Sequence, residues 1–198
     1  MFYRILKAII KPVFHLLFRI KTVHKERLKV KGPLIIVANH RSDMDPFFVH
    51  FAVRPKVYIM SKAELFRIPL LRTIVRGLGA YPVQRGKGDL GALQTTERLL
   101  NEGKIVAIFP EGTRTREREM LPFQHGAAMV AMRTGVPVLP LYFSRTLRPL
   151  RRTRLVVGEQ IDLQNLAGDD FSNAATVRMA TNLLYYKLQR LQEEAERG

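Results

Sequence analysis

The 198-residue chain has no cysteine, few acidic residues and no long uninterrupted apolar run. The missing cysteine excludes a disulfide scaffold, a thiolate nucleophile and any thiolate-bound metal, leaving five histidines and the carboxylates for nitrogen and oxygen chemistry. A reducing compartment is permitted by that count and not required by it. Seventeen Asp and Glu stand against 33 Lys and Arg, a formal net charge of +16. Such a balance asks for an anionic partner: nucleic acid, an acidic membrane surface, or acidic substrates and carriers. Basic residues interrupt every apolar stretch near the N-terminus, which argues against a simple spanning helix, for which roughly 18 apolar residues in a row are needed. A signal-peptide core with a small-residue cleavage site is also missing, so the N-terminal segment is expected to belong to the mature protein. Three catalytic signatures are absent as well. There is no G-x-S-x-G elbow, no G-x-x-x-x-G-K-S/T phosphate loop and no His-rich zinc spacing, and no metal site is expected.

What is present begins with residues 1–20. Arg4, Lys7, Lys11, His15 and Arg19 fall within about 120° of one another on a helical wheel, and bulky apolar residues fill the rest. A wide apolar arc with a narrow cationic stripe predicts an amphipathic helix lying in a membrane interface; a helix packed on the protein's own core is the alternative. The first 32 residues hold nine Lys or Arg and one Glu, a net +8, which is half of the excess charge. Its position beside the most membrane-like segment favours an anionic phospholipid membrane over nucleic acid. The expected organisation is a membrane-associating segment over 1–24 and one domain over 25–198.

From about residue 27 strands alternate with helices, which predicts an α/β domain with a mixed, mostly parallel sheet flanked by helices. Strands are expected at Arg27–Val30, Leu34–Ala38, Val57–Met60, Ala80–Gln84, Ile105–Phe109, Val138–Phe143 and Arg154–Val157. Helices are expected at Asp45–Val53, Ala63–Leu78 with a break at Pro69, Asp89–Asn101, Gln124–Thr134 and Ser172–Glu194.

The run LIIVA leads straight into NHRSDMDP, placing His40 at the carboxyl end of a strand, the edge where open α/β sheets bind ligands. Asp45 follows His40 by five residues, so a turn into the next helix can bring its carboxylate onto one ring nitrogen. The other nitrogen is then left to take a proton. The same two residues could instead simply cap the helix. A second β-rich run ends in FPEGTRTR, where Gly112 allows close backbone approach, Glu111 can accept a hydroxyl or hold an arginine, and Arg114 can grip a phosphate. A third cluster, GAYPVQRG, sets Arg85 past another strand. A His-Asp pair without a Ser or Cys partner suits direct deprotonation of a substrate hydroxyl. Of the other histidines, His15 reads as part of the basic stripe, His24 as linker, His50 as a helix-face residue and His125 as a possible neighbour of the site.

These blocks closely resemble those of the glycerolipid acyltransferases, within them the 1-acyl-glycerol-3-phosphate acyltransferases. NHRSDMD matches the N-H-x4-D block, GAYPVQR the G-x5-R block and FPEGTR the F-P-E-G-T-R block; VPVLP at Val136–Pro140 looks like the fourth, and SKAELFRIP also fits the family's pattern. The resemblance implies that His40 is the general base and Asp45 its orienting partner. It implies that Gly79, Arg85, Glu111, Gly112, Thr113 and Arg114 bind the glycerol-phosphate acceptor, with Pro137 and Pro140 shaping the site. The implied reaction moves an acyl group from an acyl thioester, carried by acyl carrier protein or coenzyme A as co-substrate, to the sn-2 hydroxyl of a lysophospholipid, without a further cofactor. The expected location is the cytoplasmic face of the cell membrane, held peripherally or monotopically. Other readings are another acceptor such as a lyso-aminolipid, thioester hydrolysis, and a non-catalytic basic module binding membrane or nucleic acid. The last leaves FPEGTR beside a His-Asp turn without a purpose.

Overall fold

Leu34–Ala38, Ile105–Ile108 and Val138–Phe143 are buried along their whole length, as strands covered on both faces must be. The computed structural model describes residues 7, 8, 12, 14, 16–83, 89–115, 117, 119–167 and 173–197. Its strands are β1 (Arg19–Val23), β2 (Leu34–Ala38), β3 (Val57–Lys62), β4 (Ala80–Val83), β5 (Ile105–Ile108), β6 (Val138–Phe143) and β7 (Arg152–Val157). They form one sheet in the order β1-β7-β6-β2-β5-β3-β4. Strands β2 to β6 run parallel, β7 is antiparallel to β6, and β1 pairs parallel with β7. The expected mixed, mostly parallel α/β sheet is what forms.

The helices are α1 (Asp45–Ala52), α2 (Pro69–Gly77), α3 (Leu90–Asn101), α4 (Gly126–Thr134), a short α5 (Gln164–Ala167) and α6 (Ala174–Arg197). Alternation along β2 sends Ile35 and Val37 to one face and Leu34, Ile36 and Ala38 to the other. The first face packs on α3, α4 and α6 through residues such as Leu99, Ala131 and Leu188; the second takes Phe48 and Val49 of α1. The break at Pro69 forms as expected, with a 3-10 turn at Ala63–Phe66 and Pro69 opening α2, where its missing N–H costs nothing. Asp89 caps α3 by accepting the Ala92 N–H at 3.0 Å. Ser172 lies outside the described residues, and Asn173 accepts the amides at the start of α6.

Two expectations are corrected. Arg27–Val30 is not a strand: Lys25–Leu28 is a 3-10 turn, entered through His24 in the left-handed region at φ 57°. The edge strand lies upstream, at Arg19–Val23, where the β-branched Ile20, Thr22 and Val23 pair with Thr153, Leu155 and Val156. Consequently Arg19 and Ile20 do not belong to an N-terminal helix. Most of residues 1–15, including Arg4, Lys11 and His15, lie outside the described residues, so the expected helix is not established. Positions described there pack on α1: Phe14 meets Phe47, Phe48 and Phe51, and the Lys7 Nζ donates to the Val53 carbonyl at 2.6 Å. Among the described residues, no helix is long and apolar enough to cross a membrane.

Candidate active site

The parallel strands bring the ends of β2, β5 and β6 to one edge of the sheet. Asn39, wholly buried, ties two of them together: its Nδ2 donates to the Phe143 carbonyl at 3.0 Å and its Oδ1 accepts the Phe143 N–H at 2.7 Å. Such a bidentate clamp fixes where the chain leaves β2.

His40 comes next and is held from four sides. Its N–H donates to Glu111 Oε1 at 2.7 Å, its carbonyl accepts the Thr115 N–H at 3.0 Å, and its ring stacks on Phe109 with centroids 4.4 Å apart. Nδ1 lies 3.0 Å from Asp45 Oδ2. With the carboxylate ionised, Nδ1 carries the proton and Nε2 is the basic nitrogen.

Asp45 does not cap α1. Met44 holds the cap position, and the Asp45 side chain turns back so that Oδ2 also accepts the Arg41 and Ser42 amides, each at 2.7 Å. The two amide dipoles compensate a carboxylate that has no solvent exposure. Helix capping alone therefore does not account for the His-x4-Asp spacing; the turn is folded around the imidazole.

Glu111 is buried and both its oxygens are used by the main chain, Oε1 by His40 and Oε2 by the Leu121 N–H at 2.9 Å. Burial pushes its carboxyl above the usual range, opposed by the amides of Leu121 and His40 and by the nearby Arg41 cation. In this arrangement it acts as a positioning residue for His40. Gly112 sits at φ 67°, and a Cβ there would run into the Gln124 side-chain amide. Thr113 is exposed on the same loop. Arg114 lies at the site, ion-paired to Asp43.

Gly79 turns the chain from α2 into β4 at φ 93°, where a Cβ would meet the Val57 carbonyl oxygen at 2.8 Å. Its neighbours Leu78 and Ala80 line the cavity. Arg85 lies outside the described residues. His125 bonds through Nδ1 to Thr181 of α6 at 3.0 Å, and His24 through Nε2 to Glu194 at 2.7 Å. Both pairings tie those histidines to α6.

Sequence reasoning overlooked three residues. Arg41 is buried, donating to the Glu117 carbonyl at 2.5 Å and to the Tyr142 hydroxyl at 2.8 Å; nothing marked it among 33 cations. Burial raises the Tyr142 phenol, while Arg41 beside it pulls the other way. His50 stands on a helix face as expected, and that face of α1 is buried. Burial, with the Lys7 and Lys56 cations adding to it, holds His50 neutral down to about pH 3.

His50 lines a cavity of about 270 Å³ that His40, Asp43 and Arg114 also line. One face of α1, through Pro46, Phe47 and His50, makes a wall leading away from His40. Residues of β3, Phe109, and Val75 and Leu78 at the end of α2 complete it. A basic imidazole, an arginine and a mostly apolar cleft thus open on one edge.

The family model described as Acyltransferase matches residues 19–144, more than half of the chain and all of the edge just described. The chain belongs to the acyltransferase family. It is 27% identical to the 1-acyl-sn-glycerol-3-phosphate acyltransferase of Bacillus subtilis (strain 168) over 171 residues, covering 83% of this chain and 85% of that one. The Haemophilus influenzae protein of the same name is 26% identical over 194 residues, or 92% of this chain and 80% of its own. Among solved structures, the 1-acyl-sn-glycerophosphate acyltransferase PlsC of Thermotoga maritima superposes with a TM-score of 0.71 at 26% identity, covering 97% of this chain and 79% of that one.

Proposed function

We propose that this acyltransferase acylates the sn-2 hydroxyl of 1-acyl-glycerol-3-phosphate from an acyl thioester, giving phosphatidic acid. The observation that carries the reading is the His40–Asp45 pair, 3.0 Å apart, with His40 and Arg114 both lining a mostly apolar cavity. The names of the relatives support the choice of acceptor.

His40 Nε2 removes the hydroxyl proton as the oxygen attacks the thioester carbonyl. Asp45 stabilises the imidazolium that forms and keeps Nδ1 protonated. The tetrahedral intermediate collapses, the C–S bond breaks, and the thiolate takes the proton back from Nε2, so the base is regenerated in one displacement. The apolar cavity holds an acyl chain. Arg114 exchanges Asp43 for the acceptor's phosphate, where two parallel N–H···O bonds are stronger than a pair with an exposed carboxylate. Arg85 is its partner in that grip, a role implied by the G-x5-R block. Either acyl carrier protein or coenzyme A serves as carrier of the thioester.

Acceptor and product are both lipids, and a protein of net charge +16 with eight of those charges in its first 32 residues suits the anionic cytoplasmic face of the cell membrane, bound peripherally or monotopically. The deciding assay gives purified protein labelled 1-acyl-glycerol-3-phosphate with each thioester in turn. Labelled phosphatidic acid is expected from at least one donor, with none from His40→Ala and a roughly 10²- to 10⁴-fold lower rate from Asp45→Asn. A folded His40→Ala protein that turns over normally overturns the assignment.

A further inference from the structure

Helix α2 carries one broad apolar stripe, opposite Arg72, Thr73 and Arg76, and only part of it is covered. Val75, with Leu78 just beyond the helix, lines the cavity, while along the neighbouring edge of the same stripe Leu70 is 75% exposed and Ile74 36% exposed, with Ile68 at 56% beside them. A surface helix normally presents one apolar stripe to its own core and polar residues to water. Here one edge of the stripe lines the cavity and the other, with its large aliphatics, stays open to water, and no described element covers it. From Arg67 to Arg76 the charged residues are three arginines, Arg67, Arg72 and Arg76, all exposed.

We propose that α2 is an interfacial helix that inserts Ile68, Leu70 and Ile74 into an anionic bilayer and forms the lipid-side wall of the cavity, so that an acyl chain passes from the membrane to His40 without crossing water. Exposed aliphatics with basic residues close by are the composition of a helix lying at the headgroup boundary, where the cations meet lipid phosphates. The cavity supplies the second support, because the same short helix contributes its inner face to the wall of the cleft that opens at His40. An acidic protein partner would satisfy the arginines but would leave the aliphatic row with no comparable gain. The lateral-entry part rests on the acyl-chain reading of that cavity; the docking part does not.

The chain has no tryptophan, so Leu70→Trp creates a single fluorescent reporter on the helix in the full-length protein. Vesicles of phosphatidylglycerol and phosphatidylcholine are expected to shift its emission to the blue, and brominated acyl chains to quench it. Phosphatidylcholine alone should do so less. Separately, Leu70→Asp with Ile74→Asp should weaken partitioning onto the mixed vesicles by roughly tenfold or more per residue, since each removes an apolar side chain from the bilayer. Leu70 is the more exposed of the two at 75%, so Leu70→Asp alone should leave the melting temperature near wild type and still weaken partitioning. Emission that stays unshifted while the protein sediments with vesicles overturns the proposal. So does wild-type partitioning of the double variant, and if its KM rises only for acyl carried on carrier protein, α2 docks the carrier instead. Vesicle binding is read without substrate, so a shifted emission in a protein that fails to acylate the lysolipid upholds the docking and sinks only the proposed reaction.

Discussion

Glu111 holds His40 by its main chain, Oε1 accepting the His40 N–H at 2.7 Å while Oε2 accepts that of Leu121. One carboxylate thus fixes both the turn after β2 and the loop after β5. Glu111→Gln keeps the shape but sets an NH2 against a backbone N–H, leaving a buried amide without its acceptor. The expected cost is about 1–3 kcal/mol of stability, read as a lower Tm. Because His40 shifts with its backbone, kcat should fall while the acceptor KM stays close to wild type. A rise confined to KM would mean instead that the carboxylate touches the acceptor.

Gly79 gives a similar contrast. The resemblance implies acceptor binding, whereas at φ 93° the glycine is required by the backbone and by the Val57 carbonyl 2.8 Å from a would-be Cβ. Gly79→Ala should therefore destabilise the fold by about 1–3 kcal/mol. Below its lowered Tm the variant should keep its acceptor KM. Thermal melts and kinetics on the same preparation separate the two roles.

In the proposed reaction Asp43 competes with the acceptor's phosphate for Arg114, to which it is ion-paired. Neutralising it in Asp43→Asn releases the guanidinium, and an exposed ion pair of this kind corresponds to a roughly two- to fivefold lower acceptor KM. Arg114→Ala should raise the same KM. Added salt should narrow the difference between Asp43→Asn and wild type, because the pair is open to screening. Equal acceptor KM values for all three proteins at low salt would remove Arg114 from the phosphate site.

Much of this was legible in the sequence because it depends on local pattern. LIIVA and VLPLYF are apolar without interruption, so buried strands could be read directly, and the five-residue step from His40 to Asp45 spans a single turn. The edge strand β1 was hidden because RIKTV carries two cations and gains its identity only by pairing with β7, more than 130 residues later. The Asn39–Phe143 clamp and the Arg41–Tyr142 bond span 104 and 101 residues. They exist because β2 lies beside β6, an order that hydrophobic period does not encode. Glu111 illustrates a different gap: its place in the loop after β5 is legible, but not the turning of its oxygens inward onto the His40 and Leu121 amides.

His50 offers a test of burial that is independent of catalysis. In the fold its imidazole stays neutral down to about pH 3, against 6.5 for the free side chain, chiefly because it is buried and secondarily because Lys7 and Lys56 are near. The unfolded chain takes up this proton as pH falls below 6.5, and the folded chain does not. His50 therefore leaves stability untouched above pH 6.5 and removes it progressively as pH falls toward 3, at about 1.4 kcal/mol per pH unit. His50→Leu, which keeps the site apolar, should abolish this contribution. Between pH 6.5 and 4.5 the Tm of wild type should fall more steeply than that of the variant, and parallel curves would show that His50 is protonated in the folded state.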